Sequence, residues 1–492
     1  MRRVLATTLL FLLGLGCAGP GTVHKRTWVE VSTPNFTIWS CQSERATLEL
    51  ARDLELFRSV VEFVVGRPLS TSQVPIRVYA FDTATSYRAF APRDSAGLFF
   101  QTMRQNIIVL SPARKNATRV IQHEYVHFLL ANHEDFVYPP WYHEGFAEFL
   151  GTAALEDQDV EIGAPPGGLW GFRMATWVPL EELLATKDRT NVSVATLYGQ
   201  SWAFVHYLNF GRDGKGNATR ELTTFFRARE RGRSVEDAVE SAFGMSVDQL
   251  DADLQKYVKK RRFSSLVAGI EHFDLGASPT LRTLSRGEIA TALGELSLLR
   301  GRPELGFQYF QDALAVEPAS SRARLGLANA HVLARRWTDA EAEYGALLEA
   351  IPDDAVAHLD YANFLHWQAR EVTDEAERAQ LARRARSHYV KSWKLDDSIP
   401  ETYAGYGATF LLEGQPTEKG LKTLRHAHQM LPSSVDICID LALAYHTLGR
   451  SEDARRLLIA TVGYIHDEAR RKEVEAVLVK TGGVPGGEAS GT

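Results

Sequence analysis

The sequence has few cysteines, no long run of basic residues and no long apolar segment beyond its N-terminus. Only 3 of the 492 residues are cysteine, so a framework of disulfide bonds is not expected. The 55 basic and 61 acidic residues give a formal net charge of −6, and without a basic cluster the chain is not expected to bind nucleic acid. This length, with 45% hydrophobic residues, predicts two or three packed domains.

Residues 1–17 have the pattern of a secretory signal peptide. Arg2 and Arg3 give a positively charged start, and Val4 to Leu15 form an apolar stretch that is too short to span a bilayer. No later segment is long and apolar enough to cross a membrane. We therefore expect an exported protein without a transmembrane helix.

The end of this segment resembles the lipobox of bacterial lipoproteins. The motif "GLGC" places Cys17 at the lipidated position, although Gly14 stands where Leu is usual. Ala18 stands where an Asp would signal retention in the inner membrane. The resemblance implies a lipid anchor on Cys17, as the only membrane attachment, at the periplasmic face of the outer membrane. The alternative is an ordinary cleaved signal peptide.

The first half of the chain mixes strand and helix patterns. "TWVEVSTPNFTIWS" alternates apolar and polar residues as a strand or hairpin does, and "PIRVYAF" and "QNIIVLS" predict two further strands. Apolar residues recur at helical spacing in "ERATLELARDLELFRSVVEFVVG", and further helices are expected to about Phe263. This mixture predicts an α+β domain over residues 28–265.

The second half contains a repeat. Pro318 and Pro352 are 34 residues apart, and Phe310 and Tyr344 each stand eight residues before one of them. This spacing resembles the tetratricopeptide repeat, and looser copies bring the number of repeats to five over residues 287–469. The resemblance implies an all-α solenoid that binds a protein partner in its concave groove.

Two other segments complete the domain plan. The Gly-rich residues 480–492 are expected to be disordered. A linker is expected at about 264–285, and it should allow the first half to fold alone.

The stretch "VIQHEYVHFLLANHEDFVYPPWYHEGFAEFL" carries the residues with the clearest chemistry. His123 and His127 are four residues apart, so on a helix both face the same side, with Glu124 between them in sequence. A helix with H-E-x-x-H presents two imidazoles to one Zn²⁺ and a carboxylate to water. About 0.03 matches are expected by chance in a chain of this composition. The alternative is a pair of hydrogen-bonded helix histidines.

A second predicted helix begins at "PPWYHEGFAEFL", where two prolines suit a helix start and Glu144 and Glu148 share one face. Together the two motifs resemble the gluzincin metallopeptidases, especially the bacterial peptidase MA-like group. The resemblance covers residues 28–265 and implies a zincin-like fold. It also implies that Glu144 is the third zinc ligand and that Glu148 orients the ring of His123.

The same resemblance implies the chemistry. Zn²⁺ would be the cofactor and Glu124 the general base for hydrolysis of a protein or peptide substrate. A peptide would add to an edge strand beside the metal, for which "QNIIVLS" is the candidate. The aminopeptidase motif G-x-M-E-N is absent, so an endopeptidase is expected rather than a site for a free α-amino group.

A neutral donor usually helps to stabilise the oxyanion in such enzymes. Tyr198 is the first candidate for that donor, and Tyr207 and His206 are the alternatives. His143 is adjacent to Glu144, so on a helix its side chain points about 100° away, and we expect it at the surface.

Two hypotheses follow. In the first, the protein is a zinc-dependent peptidase anchored to the outer membrane, with repeats that recruit protein partners. In the second, it is a scaffold lipoprotein whose repeats bind proteins and whose zinc domain is inactive or structural. The presence of Glu124 favours the first hypothesis, because a structural zinc site needs no general base.

Overall fold

The computed structural model describes most of the chain. The predicted signal peptide with Cys17 lies outside the described residues, and so do residues 484–492 of the predicted disordered tail. The described residues are 20–69, 74–92, 95, 97–111, 117–132, 138–156, 158–166, 177–186, 193–212, 218–463, 465 and 467–483.

Two sheets are described in the first half of the chain. The larger has the strand order β4-β5-β3-β2-β1-β9, in which β2, β3 and β5 are parallel neighbours and the other pairs are antiparallel. The smaller has the order β6-β7-β8. The strands are β1 (Val29–Ser32), β2 (Phe36–Ser40), β3 (Ile76–Ala80), β4 (Gly97–Gln101), β5 (Asn106–Leu110), β6 (Ala154–Leu155), β7 (Asp159–Ile162), β8 (Leu266–Gly269) and β9 (Thr280–Thr283).

Strands and helices are mixed along the first half, which is an α+β domain, as predicted. The described helices of this domain are α1 (Glu44–Val65), α2 (Ala84–Arg88), α3 (Ala117–Ala131), α4 (Pro140–Gly151), α5 (Leu180–Ala185), α6 (Val194–His206), α7 (Thr219–Glu230), α8 (Val235–Phe243) and α9 (Val247–Lys259).

The pleat of the larger sheet sends alternate residues into two separate cores. On one face, Ile76 and Val78 of β3 pack with residues of α1 and α3. On the other face, Tyr79 packs with Trp39 and Val109. The sheet is therefore buried on both sides, which explains why every residue of β5 is buried.

The segment 264–285, expected to be a linker, belongs to the α+β domain. Strand β8 pairs with β7, and strand β9 pairs with β1, both antiparallel. Each of these strands has only four residues. Each is stabilised by pairing with a strand that is distant in sequence, and neither has a clear strand pattern of its own. The domain therefore extends past residue 265, to Thr283.

The second half consists of five helical hairpins followed by a final helix, in agreement with the five predicted repeats. The hairpins are α10 (Arg286–Leu299) with α11 (Pro303–Val316), α12 (Ser321–Leu333) with α13 (Trp337–Ala350), α14 (Ala355–Glu371) with α15 (Glu375–Leu395), α16 (Pro400–Leu412) with α17 (Glu418–Met430), and α18 (Val435–Thr447) with α19 (Ser451–Val462). The final helix is α20 (Glu468–Lys480).

Among the described residues, no helix combines the length and apolar character needed to cross a bilayer. The two cysteines in this part of the chain, Cys41 and Cys438, are free thiols.

The first hairpin of the repeats covers the second face of the large sheet. Leu293 of α10 and Tyr309 of α11 are fully buried in the same cluster as Trp28 and Phe81 of the α+β domain. A chain that ended at residue 265 would lack β8 and β9 and would expose this apolar face to water. The expectation that the first half folds alone is therefore corrected: the two halves share a core.

Candidate metal centre

Helix α3 presents two histidines on one side, one helical turn apart. Ile121 and Tyr125 are buried and anchor the helix in the core beneath the sheet. His123 and His127 approach each other with 3.0 Å between their Nε2 atoms. The i, i+4 spacing therefore brings both imidazoles to one point, as the helical period predicts.

Helix α4 brings a carboxylate to the same point. The helix begins at Pro140, a position where the missing N–H of proline has no helical partner to lose. The side chain of Glu144 is fully buried, and its Oε2 lies 3.7 Å from Nε2 of both His123 and His127. A carboxylate at such depth needs a positively charged partner to offset its lost hydration.

The three side chains fit a zinc ion. Their ligand atoms all lie within 4.8 Å of one another. Two imidazole nitrogens and one carboxylate oxygen are the protein ligands of a well-known class of catalytic zinc sites. A triangle with sides of 3.0, 3.7 and 3.7 Å has a circumradius of about 2.0 Å. That radius is close to the usual Zn–N and Zn–O distances of about 2.0–2.2 Å.

A second carboxylate contacts this triad, and a third lies on the helix of the histidines. Glu148, one turn after Glu144, has its Oε1 3.4 Å from Nδ1 of His123 and accepts a 2.8 Å hydrogen bond from Arg119. It can thus accept from the ring nitrogen of His123 that faces away from the triad. Glu124 follows His123 directly on α3 and is partly exposed.

A glycine allows two helices of the site to approach closely. A Cβ built on Gly145 would lie 2.5 Å from the main-chain oxygen of Ser201 on α6, a distance that no side chain tolerates. The small residue next to Glu144 therefore sets the spacing between α4 and α6.

This close approach places Tyr198 of α6 beside a histidine of the triad. The two rings of Tyr198 and His123 are nearly parallel, with 9° between their planes and 5.8 Å between their centroids. Tyr198 is partly exposed.

The two alternatives to Tyr198 lie in other surroundings. His206 is fully buried, with Nε2 3.0 Å from the carbonyl oxygens of both Gly163 and Ser264, and its Nδ1 accepts a 2.9 Å hydrogen bond from Tyr257. Burial lowers the pKa of His206 to about 4. Tyr207 is buried against Tyr257. Both residues therefore belong to the core around Tyr257.

His143 differs from the expectation of a surface position. It is 2% exposed, and its ring centroid lies 5.8 Å from that of His127 and 6.0 Å from that of Tyr138. Helix α4 is buried on nearly all sides, so a residue turned away from Glu144 is still covered by its neighbours.

Among the described strands, the outermost one on this side of the large sheet is β4 rather than the predicted "QNIIVLS". That segment forms β5, which is paired on both sides, with β3 and with β4. Strand β4 runs along α3: a Cβ on Gly97 would lie 2.9 Å from Ile121, and the ring of Phe99 lies 5.6 Å from that of Phe128. Strand β4 therefore packs along the helix of the histidines.

Sequence reasoning missed Arg119, Gly145 and β4 as parts of the site. Arg119 stands four residues before His123, on the same side of the helix, and Gly145 follows Glu144 directly, so the sequence contains a signal for both. Strand β4 has the sequence "GLFFQ", which lacks the clear alternation of apolar and polar residues that marks a strand. The one available signal was its position just before β5, with which it forms a hairpin.

The comparisons with known proteins concern the helical hairpins. The family described as tetratricopeptide repeat matches residues 297–369. A tetratricopeptide-repeat protein of Thermus thermophilus is 18% identical, with a TM-score of 0.36, and the match covers 39% of this chain and 99% of that one. The pilF protein of Pseudomonas aeruginosa is 18% identical, with a TM-score of 0.33, over 39% of this chain and 83% of that one. No curated protein matches the chain.

The C-terminal hairpins are thus tetratricopeptide repeats, as their spacing predicted. The class of protein that this defines is an α+β domain joined to a tetratricopeptide solenoid.

Proposed function

We propose that the α+β domain is a zinc-dependent endopeptidase with a zincin-like fold, similar to the gluzincins of the peptidase MA-like group. The observation that carries the proposal is the convergence of His123, His127 and Glu144 on one point, from two helices, at separations that suit zinc. A helix with H-E-x-x-H followed by a second helix with a buried glutamate is difficult to account for by packing alone.

Each residue of the site has a defined task. His123, His127 and Glu144 would hold Zn²⁺, which supplies Lewis-acid chemistry that polarises a carbonyl and acidifies water. Glu124, accessible on α3, takes the proton from the attacking water and passes it to the leaving amine. Glu148 accepts from Nδ1 of His123 and holds the ring in the orientation that directs Nε2 to the metal.

Tyr198 completes the site as a neutral donor. Its hydroxyl can donate a hydrogen bond to the oxygen that becomes negatively charged when the carbonyl is attacked. The parallel packing on His123 supports this assignment, because it fixes the tyrosine ring relative to the triad.

The substrate would be an extended protein or peptide segment. As the outermost described strand on its side of the sheet, β4 would offer main-chain N–H and C=O groups to a peptide that pairs with it as an added strand. Cys17 would carry a lipid anchor that places the enzyme at the periplasmic face of the outer membrane. A Cys17→Ser variant that still fractionates with the outer membrane would contradict the anchor.

The repeats point to interaction with proteins, since stacked helical hairpins form extended surfaces that bind polypeptides. We propose that they contribute to recruitment of a protein partner. In the alternative hypothesis they are the whole function, and the zinc domain of the scaffold lipoprotein is inactive or structural.

The test is a Glu124→Gln variant of the mature protein. Gln is nearly isosteric with Glu but cannot take the proton of water. We expect it to keep zinc and fold and to lose cleavage of unstructured proteins that the wild type degrades. Cleavage by Glu124→Gln within a few-fold of the wild type would rule out Glu124 as the base. A wild type that binds zinc but cleaves nothing in a broad substrate screen would favour the scaffold hypothesis.

A further inference from the structure

The surface of the repeats is occupied by a segment of the same chain. The turn between β4 and β5, residues 102–105, projects from the sheet onto α14 and α16. The guanidinium of Arg104 in this turn is bound by two carboxylates of the repeats, Asp360 on α14 and Glu401 on α16. The Asp360 side chain is 5% exposed and that of Glu401 is 14% exposed.

The two carboxylates belong to a prearranged set of polar groups. Asn329 donates to Asp360 and Asn363 donates to Glu401, each at 2.7 Å. The two asparagines stand 34 residues apart, at the same place in consecutive repeats. This arrangement presents fixed carboxylate oxygens to a planar cation, which is the recognition that guanidinium favours over ammonium.

The asparagines are themselves fixed by buried tyrosines. The hydroxyl of Tyr344 donates to Asn329 at 2.5 Å, and that of Tyr389 donates to Asn363 at 2.7 Å. We name Asp360, Glu401, Asn329 and Asn363 the arginine dock.

A second contact lies at the end of the edge strand. Gln101, the last residue of β4, donates a 2.9 Å hydrogen bond to Ser433, which precedes α18. Ser433 donates a 2.9 Å hydrogen bond to Asn132, just after α3. The loop of the repeats at Ser433 therefore joins the end of β4 to the end of the helix that carries the histidines.

Apolar packing accompanies these polar contacts. Met103 of the same turn, together with Val74, packs against a cluster of the repeats that includes Tyr403, Leu431 and Ile437. The turn is thus held by one paired cation and by an apolar surface next to it.

We propose that the repeats contain a guanidinium-binding site whose resident ligand is Arg104, and that this contact positions β4 for the peptide pairing proposed above. The second part rests on the proposed peptidase function, and the first does not. An external protein partner could use the dock only by inserting an arginine of its own in place of Arg104. The repeats then act on the site within the chain, in addition to any recruitment.

Hydrogen exchange measured by mass spectrometry on the mature full-length protein tests the dock. We expect Arg104→Ala to speed exchange of the amides in 97–106 by about tenfold or more, because two buried carboxylates lose their cation. Arg104→Lys should give an intermediate change, since ammonium cannot make the same fork of hydrogen bonds. The double variant Asp360→Asn with Glu401→Gln removes the two carboxylates instead of the cation, and it should speed exchange in 97–106 as Arg104→Ala does.

Arg383→Ala is the matched control, because Arg383 is 61% exposed and pairs with Glu413 between two helices of the repeats. It should leave exchange in 97–106 unchanged. Millimolar methylguanidinium should restore protection in Arg104→Ala, whereas urea at the same concentration should not. The proposed dock would be overturned if Arg104→Ala exchanged at the wild-type rate in 97–106. It would also be overturned if Arg383→Ala changed that rate as much as Arg104→Ala does.

Zinc content and peptide cleavage separate this proposal from the peptidase. If β4 pairs with the substrate, Arg104→Ala should raise KM for an unstructured peptide while zinc content stays that of the wild type. Unchanged KM together with faster exchange would overturn the positioning role and leave the dock. Loss of protection in a chain that cleaves nothing would support the dock and count against the peptidase.

Discussion

Gly145 on α4 lies directly against the main-chain carbonyl of Ser201 on α6, so that a methyl group at position 145 would come within 2.5 Å of that oxygen. This contact joins the helix of Glu144 to the helix of Tyr198. We predict that Gly145→Ala destabilises the protein by about 1–3 kcal/mol, because the helices must separate. It should also lower zinc affinity, because Glu144 moves with its helix. Urea unfolding and zinc titration measure the two effects.

The matched control is Gly345→Ala on α13. A Cβ at Gly345 has no neighbour within 4 Å. This variant should be more stable than the wild type by about 0.5–1 kcal/mol, since alanine favours a helix interior over glycine. If both variants changed stability in the same direction, the close approach of α4 and α6 would not be what the glycine provides.

Tyr198→Phe separates packing from hydrogen bonding. Phenylalanine keeps the ring beside His123 but cannot donate to an oxyanion, so we predict that kcat falls about 10²-fold while zinc content is unchanged. Tyr207→Phe, at a buried position against Tyr257, should leave kcat within a few-fold of the wild type. Steady-state kinetics on one peptide decides between them. Equal kcat values for Tyr198→Phe and the wild type would remove Tyr198 from the mechanism.

Asp440 on α18 makes stability depend on pH. Burial raises the pKa of its carboxyl to about 7, with Asp436 and Glu473 acting in the same direction and Arg370 against them. The folded protein therefore holds this proton more tightly than the unfolded chain does, so stability falls as pH rises from about 4 through about 7. We predict that Asp440→Asn is more stable than the wild type by about 2 kcal/mol at pH 8, and that the difference shrinks toward pH 5.

Glu349→Gln, at an exposed position on α13, is the control for the loss of one negative charge. Urea unfolding at a series of pH values should give this variant the same pH profile as the wild type. A pH profile of Asp440→Asn that ran parallel to that of the wild type would show that Asp440 has no raised pKa.

The site was easier to predict than its surroundings, because its residues lie close together in sequence. His123 and His127 need only the helical period to meet, and Glu144 lies on the next helix of the chain. Strands β8 and β9 have four residues each and pair with strands far away in sequence, so no local pattern marks them. The prediction of a linker at 264–285 was wrong for this reason.

The contact between the two halves could not be predicted from the sequence for the same reason, because its residues are far apart in the chain. Arg104 and Glu401 are 297 residues apart, and each is an ordinary charged residue in its own segment. Only the folded chain shows that the first hairpin of the repeats covers the sheet and that the β4–β5 turn reaches α14 and α16. The repeat itself was visible in the sequence, because its period of 34 residues recurs.

X-ray absorption at the zinc edge, on the mature protein loaded with one equivalent of zinc, tests the central claim most directly. We predict a first shell of nitrogen and oxygen only, at about 2.0–2.1 Å, with the outer scattering of two imidazoles. In His127→Ala the contribution of one imidazole should disappear, together with most of the bound zinc. A spectrum with sulfur scatterers, or with no imidazole scattering, or one unchanged in His127→Ala, would contradict a zinc site formed by His123, His127 and Glu144.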